Sequence, residues 1–187
     1  IKITANENSC LLYMVSDAEA WLRSTITEKA RVERNALIEV WRPRLYADSS
    51  VTELPANDDE MCALIMARSD YKTRLQQDAA HDPPEPLSKY STDMFEGTSR
   101  AGLTVTLFAG GLDLADVDVN CIMAYIQDLE DWVIGALMGQ VNRGKKKMIS
   151  QYHPIIMADP SVTTMPGTED GLITMILARS DYQRLGG

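Results

Sequence analysis

Ala67-Arg68-Ser69-Asp70-Tyr71 and Ala178-Arg179-Ser180-Asp181-Tyr182 are the same five residues set 111 positions apart. The frame around them repeats at the same offset: Pro43, Asp48, Val51, Pro55 and Asp59 recur as Pro154, Asp159, Val162, Pro166 and Asp170. Nearly thirty residues align without a gap, so the chain reads as a tandem duplication. The fold class this implies is mainly α. Residues 1–75 and 112–187 are two helical modules, and residues 76–111 are a Pro-rich linker with a strand insert between them.

The helices follow from caps and spacing. Ser16-Asp17-Ala18-Glu19 reads as a capping box. Leu22, Ile26, Ala30, Leu37 and Trp41 then fall at helical spacing, with Arg23, Glu28, Arg31 and Arg34 on other faces. Pro43 is expected to stop this run after about 24 residues, because proline lacks the amide proton and clashes with the preceding turn. In the second copy, residues 122–152 cover the same ground and end at Pro154. Gly135, Gly139 and Gly144 each cost about 1 kcal/mol against alanine, which predicts a bend or a break there. Asn57-Asp58-Asp59-Glu60 is a second cap pattern, opening a helix through Met61, Leu64, Ile65, Arg68, Tyr71 and Leu75; residues 168–185 repeat it.

Alternation at residues 1–4 and 112–115 predicts a short strand opening each module. His81-Asp-Pro-Pro-Glu-Pro86 is expected to be extended and semi-rigid. Residues 103–108 read as a strand closed by Gly110-Gly111. A lone strand is unstable, so it must pair with the N-terminal strand or with a neighbouring subunit, which makes Leu103, Val105 and Leu107 candidate interaction residues.

Charge narrows the partners. A formal charge of −9 argues against a phosphate-gripping surface, since nucleic-acid affinity comes mostly from Lys and Arg. No sequence-specific nucleic-acid binding is expected. Trp132 to Val141 is the longest weakly charged stretch, about half of the ~20 residues that a bilayer span needs, so no membrane helix is expected either, and no signal-peptide pattern is read. Cys10, Cys62 and Cys121 form no C-x-x-C pair, and Cys10 and Cys121 are repeat equivalents. They read as small, buried, reduced thiols, which implies a reducing compartment.

No catalytic, cofactor or metal site emerges. Gly139-Gln-Val-Asn-Arg-Gly144-Lys145 has phosphate-loop spacing, but Lys146 stands where a magnesium-binding hydroxyl belongs, no strand precedes it, and the first copy has no glycine there. The stretch reads instead as a helix break followed by a basic patch, with Arg143, Lys145, Lys146 and Lys147 as candidate contacts to an acidic partner. Gly135 and Gly139 fit a helix-packing pattern. Asp113, Asp116 and Asp118 lack the glycine and glutamate of a calcium loop. His81 and His153 lie at unrelated positions, so neither zinc binding nor a nucleophile–histidine set is supported. Arg68, Asp70, Arg179 and Asp181 admit two readings: a recognition pair used twice, or a structural tie from the helix to a loop carboxylate such as Asp48 or Asp59. The structural reading is favoured. Trp21, Trp132, Tyr71 and Tyr182 are expected to pack in cores or module interfaces.

Asn35-Ala-Leu-Ile-Glu-Val-Trp-Arg-Pro43 followed by Ala67-Arg-Ser-Asp-Tyr-Lys-Thr-Arg-Leu75 resembles the head-to-tail connector, or neck, proteins of tailed phages. Met148-Ile-Ser-Gln-Tyr-His-Pro154 with Ala178-Arg-Ser-Asp-Tyr-Gln-Arg-Leu185 repeats the pattern, and Ile3-Thr4-Ala5-Asn6-Glu7 is similar to the opening of such proteins. The resemblance covers about 50 residues of each module. Those proteins usually carry one module, whereas this chain has two and an insert. It implies a ring of identical subunits around a DNA channel, with an acidic lumen and extended segments reaching neighbours. The expectation is therefore a non-enzymatic structural or assembly protein, homo-oligomeric, contacting other structural proteins, in a virion or the cytoplasm. The alternative is a helical binding or regulatory protein, monomeric or dimeric, whose two pseudo-symmetric modules face each other and bind a peptide or small ligand between them.

Overall fold

A computed structural model of the chain describes residues 2–81, 104–106 and 115–183, and seven helices account for most of them. Strand β1 (Lys2–Thr4) leads into α1 (Ala5–Met14) through a capping box: Glu7 N donates to Thr4 Oγ1 (3.2 Å), and Thr4 N donates to Glu7 Oε2 (2.6 Å). The sequence reading missed α1. Its apolar residues, Leu11 to Met14, run consecutively and show no helical stripe.

Helix α2 (Ala18–Ala47) starts one residue later than expected, because Asp17 rather than Ser16 is the cap: its Oδ1 accepts from Glu19 N (2.9 Å) and Ala20 N (3.0 Å). Leu22, Ile26, Ala30, Leu37 and Trp41 are all buried, as their spacing predicts. Pro43 does not stop α2, which runs four residues further. A proline inside a helix costs about 3 kcal/mol. The extra turn carries Leu45 to full burial, and burying such a side chain is worth about 1.5–3 kcal/mol, enough to offset most of that cost.

After α3 (Asp58–Met66), capped by Asn57, comes α4 (Arg74–His81). The expected helix through Leu75 divides because Arg68 and Asp70 pair at i,i+2, a spacing that does not meet on a helix surface, and Tyr71 N donates to Arg68 O to close the turn. Strand β2 (Thr104–Thr106) pairs antiparallel with β1, with Lys2 opposite Thr106, Ile3 opposite Val105 and Thr4 opposite Thr104. Of the two pairings the sequence left open, the structure has the one within the chain. The proline cluster, residues 112–114, Leu103, Leu107 and Phe108 lie outside the described residues.

Helices α5 (Asp116–Met123), α6 (Leu129–Ala158) and α7 (Glu169–Leu177) follow, the last helices among the described residues. The long and second short helices repeat those of the first copy, and α6 likewise starts at an aspartate, Asp128, which accepts from Glu130 N and Asp131 N. Its Pro154 is followed by the buried Ile156, the equivalent of Leu45. The predicted break is absent, and α6 is continuous through all three glycines. Gly144 lies where α1 crosses: a Cβ there would sit 1.9 Å from the Cys10 carbonyl oxygen. Gly135 has nothing within 4 Å of that position, so the Gly135–Gly139 pattern is not a close contact.

Packing forms two compact units, and they partition the chain differently from the repeat. One unit holds β1, α1, β2, α7, the first turn of α2 and α6 from Ile134 onward; the other holds α2 from Arg23, with α3, α4, α5 and the first turn of α6. The opening helix of each copy therefore packs in the unit built from the other copy. Helix α1 contacts α7, and α5 contacts α3. In the first unit Cys10, Leu11 and Tyr13 pack with Met148, Tyr152, Ile156, Ile173 and Ile176. In the second, Cys121 and Ala124 pack with Leu37, Trp41, Leu45, Cys62 and Ile65, the same repeat positions almost one for one.

Candidate functional site

The doubled pentapeptide closes the same polar clamp in each unit. Arg68 Nη1 donates to Asp48 Oδ2 (2.8 Å) and its Nε to Asp70 Oδ1 (2.9 Å). Arg179 makes the same bonds to Asp159 Oδ2 (3.0 Å) and Asp181 Oδ1 (2.7 Å). Each loop aspartate also takes the amide and hydroxyl of a serine two residues on, Ser50 or Ser161. The rings of Tyr71 and Tyr182 stand 6.2 Å from Trp41 and 5.9 Å from Tyr152, which are repeat equivalents. The pentapeptide thus ties the loop after the long helix to the turn after α3 or α7. All its charged groups are turned on one another.

Ser50 and Ser161, and then the arginines, hold the Asp48 and Asp159 carboxyls down to about 2, from an ordinary 3.8. A group whose folded-state pKa is depressed contributes stability above its unfolded value and loses it as the pH falls through the folded one. Stability is therefore expected to drop between about pH 4 and pH 2. Asp48→Asn and Asp159→Asn should each flatten that drop in urea midpoints taken across the range. An unchanged acid slope in both variants would dismiss the clamps as contributors.

A second pair of contacts recurs at the first turn of the short helices. Arg34 Nη1 meets Asp59 Oδ1 at 2.6 Å, and the repeat equivalents Lys145 and Asp170 meet at 2.8 Å. The recurrence of Asp59 as Asp170 signalled this contact, but its basic partner lies outside the aligned block. Lys145 is therefore engaged within the chain, Arg143 donates to Gln140 Oε1, and Lys146 and Lys147 are exposed. The phosphate-loop-like stretch lies wholly inside α6. Trp21 packs against the first core, and Trp132 lies under the Lys29 ammonium, 5.7 Å from its ring centre. Val105 stands in β2. His153 is exposed on α6, and Asp118 is taken by Arg34. No group of three or more metal-ligating residues occurs among the described residues, and no described helix is long and apolar enough to cross a membrane.

The cysteines differ by unit. In the second, Cys62 Sγ of α3 and Cys121 Sγ of α5 lie 3.6 Å apart, both fully buried. Arg34 reaches this pair between its two aspartates; its Nε is buried with no hydrogen-bond partner among the described residues. The Sγ–Sγ contact with Cys62, and then the Arg34 charge, draw the Cys121 thiol down against the effect of burial, while that same contact and burial push Cys62 up. In the first unit Ile173 replaces the second thiol, and burial pushes the solitary Cys10 up to about 11.

Outside these clusters, Tyr46 and Met157 are the same repeat position and stand 74% and 63% exposed at the ends of α2 and α6. Tyr46 borders an open groove of about 490 Å³ lined by Asn35, Ile38, Glu39, Arg42 and Pro43. Comparison with protein-family models, curated proteins and solved structures finds no match to the chain.

Proposed function

We propose that the chain is a non-enzymatic structural or assembly protein, the subunit of an oligomeric ring such as the head-to-tail connector of a tailed phage. The observation that carries this reading is the division of labour between buried and exposed repeat positions. Residues kept in both copies are spent on clamps and cores, while a large apolar side chain is left in solvent at the same place in each, at Tyr46 and Met157. Such a doubled exposed position suits contact with further subunits rather than chemistry. An acidic chain of charge −9 also suits a channel through which nucleic acid passes without adhering.

Native mass spectrometry with light scattering tests this directly. A closed ring of about six or more subunits is expected. A monomer whose mass is independent of concentration would overturn the reading. The groove beside Tyr46 favours a second reading, a helical regulatory protein that binds a peptide or small ligand there. That reading predicts a monomer or dimer.

A further inference from the structure

We propose that Cys62 and Cys121 are a peroxide-responsive redox site, forming a reversible disulfide that joins α3 of the first copy to α5 of the second. The two sulfurs already touch at 3.6 Å, and a disulfide needs them at about 2.05 Å, a closure within reach of small side-chain rotations. Both come from helices packed against each other in one unit, so no large rearrangement is required. The contact with Cys62, and then the Arg34 guanidinium held between Asp59 and Asp118, favour a thiolate at Cys121 against burial and the Asp118 charge. The other unit provides an internal contrast: Cys10 occupies the same repeat position as Cys121, beside Lys145, but faces Ile173 instead of a second thiol.

The chemistry balances with a hydroperoxide as oxidant. The Cys121 thiolate attacks the peroxide oxygen, breaking the O–O bond and leaving a sulfenic acid, while the departing hydroxide takes up a proton and leaves as water. Cys62 sulfur then attacks the sulfenic sulfur, the S–S bond forms, and the hydroxyl leaves as a second water with the Cys62 proton. Two thiols and one hydrogen peroxide yield one disulfide and two waters. A thiol reductant reverses the step by exchange. Because both sulfurs are fully buried, peroxide gains access during local opening, and once formed the disulfide is shielded from reductant in the same way.

The full-length chain is treated with hydrogen peroxide under native conditions, remaining thiols are alkylated after denaturation, and intact mass and a non-reduced tryptic map are recorded. Expected are the loss of two hydrogens, a fall from three free thiols to one, and a link between peptides Leu45–Arg68 and Ala101–Arg143, with Cys10 still alkylated. Dithiothreitol should restore all three thiols. In Cys62→Ala, dimedone should trap a sulfenic acid at Cys121. Persistence of three thiols would overturn the proposal. So would cross-links of Cys10 in comparable yield, or a Cys62–Cys121 link that forms only in denaturant. The wild-type native-against-denatured comparison decides the matter even if the variant does not fold.

Discussion

Gly144→Val is expected to lower the stability of the first unit by about 4 kcal/mol and to release α1 from α6. Overpacking a core costs about 1–3 kcal/mol when side chains can adjust. Here the added carbon would lie 1.9 Å from the Cys10 carbonyl oxygen and 2.8 Å from its carbon, so it strikes backbone, and the whole helix must move. Moving it exposes Cys10, Leu11 and Tyr13, all at 0% exposure, and a large apolar side chain is worth about 1.5–3 kcal/mol when buried. Gly135→Ala, nine residues earlier in the same helix, meets nothing and should stabilise by about 1 kcal/mol through helix propensity. Urea unfolding followed by circular dichroism reads both. A mild effect at Gly144, equal to that at Gly135, would mean that α1 does not rest on this glycine.

The second large effect is expected at the turns beyond the prolines. Leu45→Ala and Ile156→Ala should each cost about 2–5 kcal/mol, as deletions of fully buried branched side chains do. They should also let α2 and α6 end near Pro43 and Pro154, seen as lost amide protection over residues 44–47 and 155–158. Tyr46→Ala, one position on and 74% exposed, should change stability by no more than about 0.5 kcal/mol. If assembly uses that face, Tyr46→Ala and Met157→Ala should instead reduce oligomeric mass. Intact amide protection in Leu45→Ala would show that the last turn holds by backbone bonding alone.

These turns illustrate what was legible in the chain. The stripe from Leu22 to Trp41 is a strong periodic signal, and it is buried throughout. Pro43 reads locally as a stop, and only the tertiary burial of Leu45 overrides it. Helix α1 was illegible for the opposite reason: Leu11, Leu12, Tyr13 and Met14 cluster without period, and what makes them helical is the dock provided by α6 and α7 far along the chain. The glycines of α6 look alike in sequence, yet only Gly144 faces another backbone. The clamp from Arg68 to Asp48 is legible because both residues recur together. The meeting of Cys62 with Cys121 was hidden, since no spacing rule brings the third helix of one copy beside the first helix of the other.

That crossing also bears on how the protein comes off the ribosome. Helix α1 is synthesised well before the surfaces of α6 and α7 that bury its Cys10, Leu11 and Tyr13. Until α6 and α7 emerge, the nascent chain carries an apolar segment with no home, and α3 waits in the same way for α5. Neither repeat can complete its core before translation of the other, so maturation is set by long-range closure, which slows folding relative to local hairpins. A gene cut back to either single repeat would therefore deliver helices whose partners are never made.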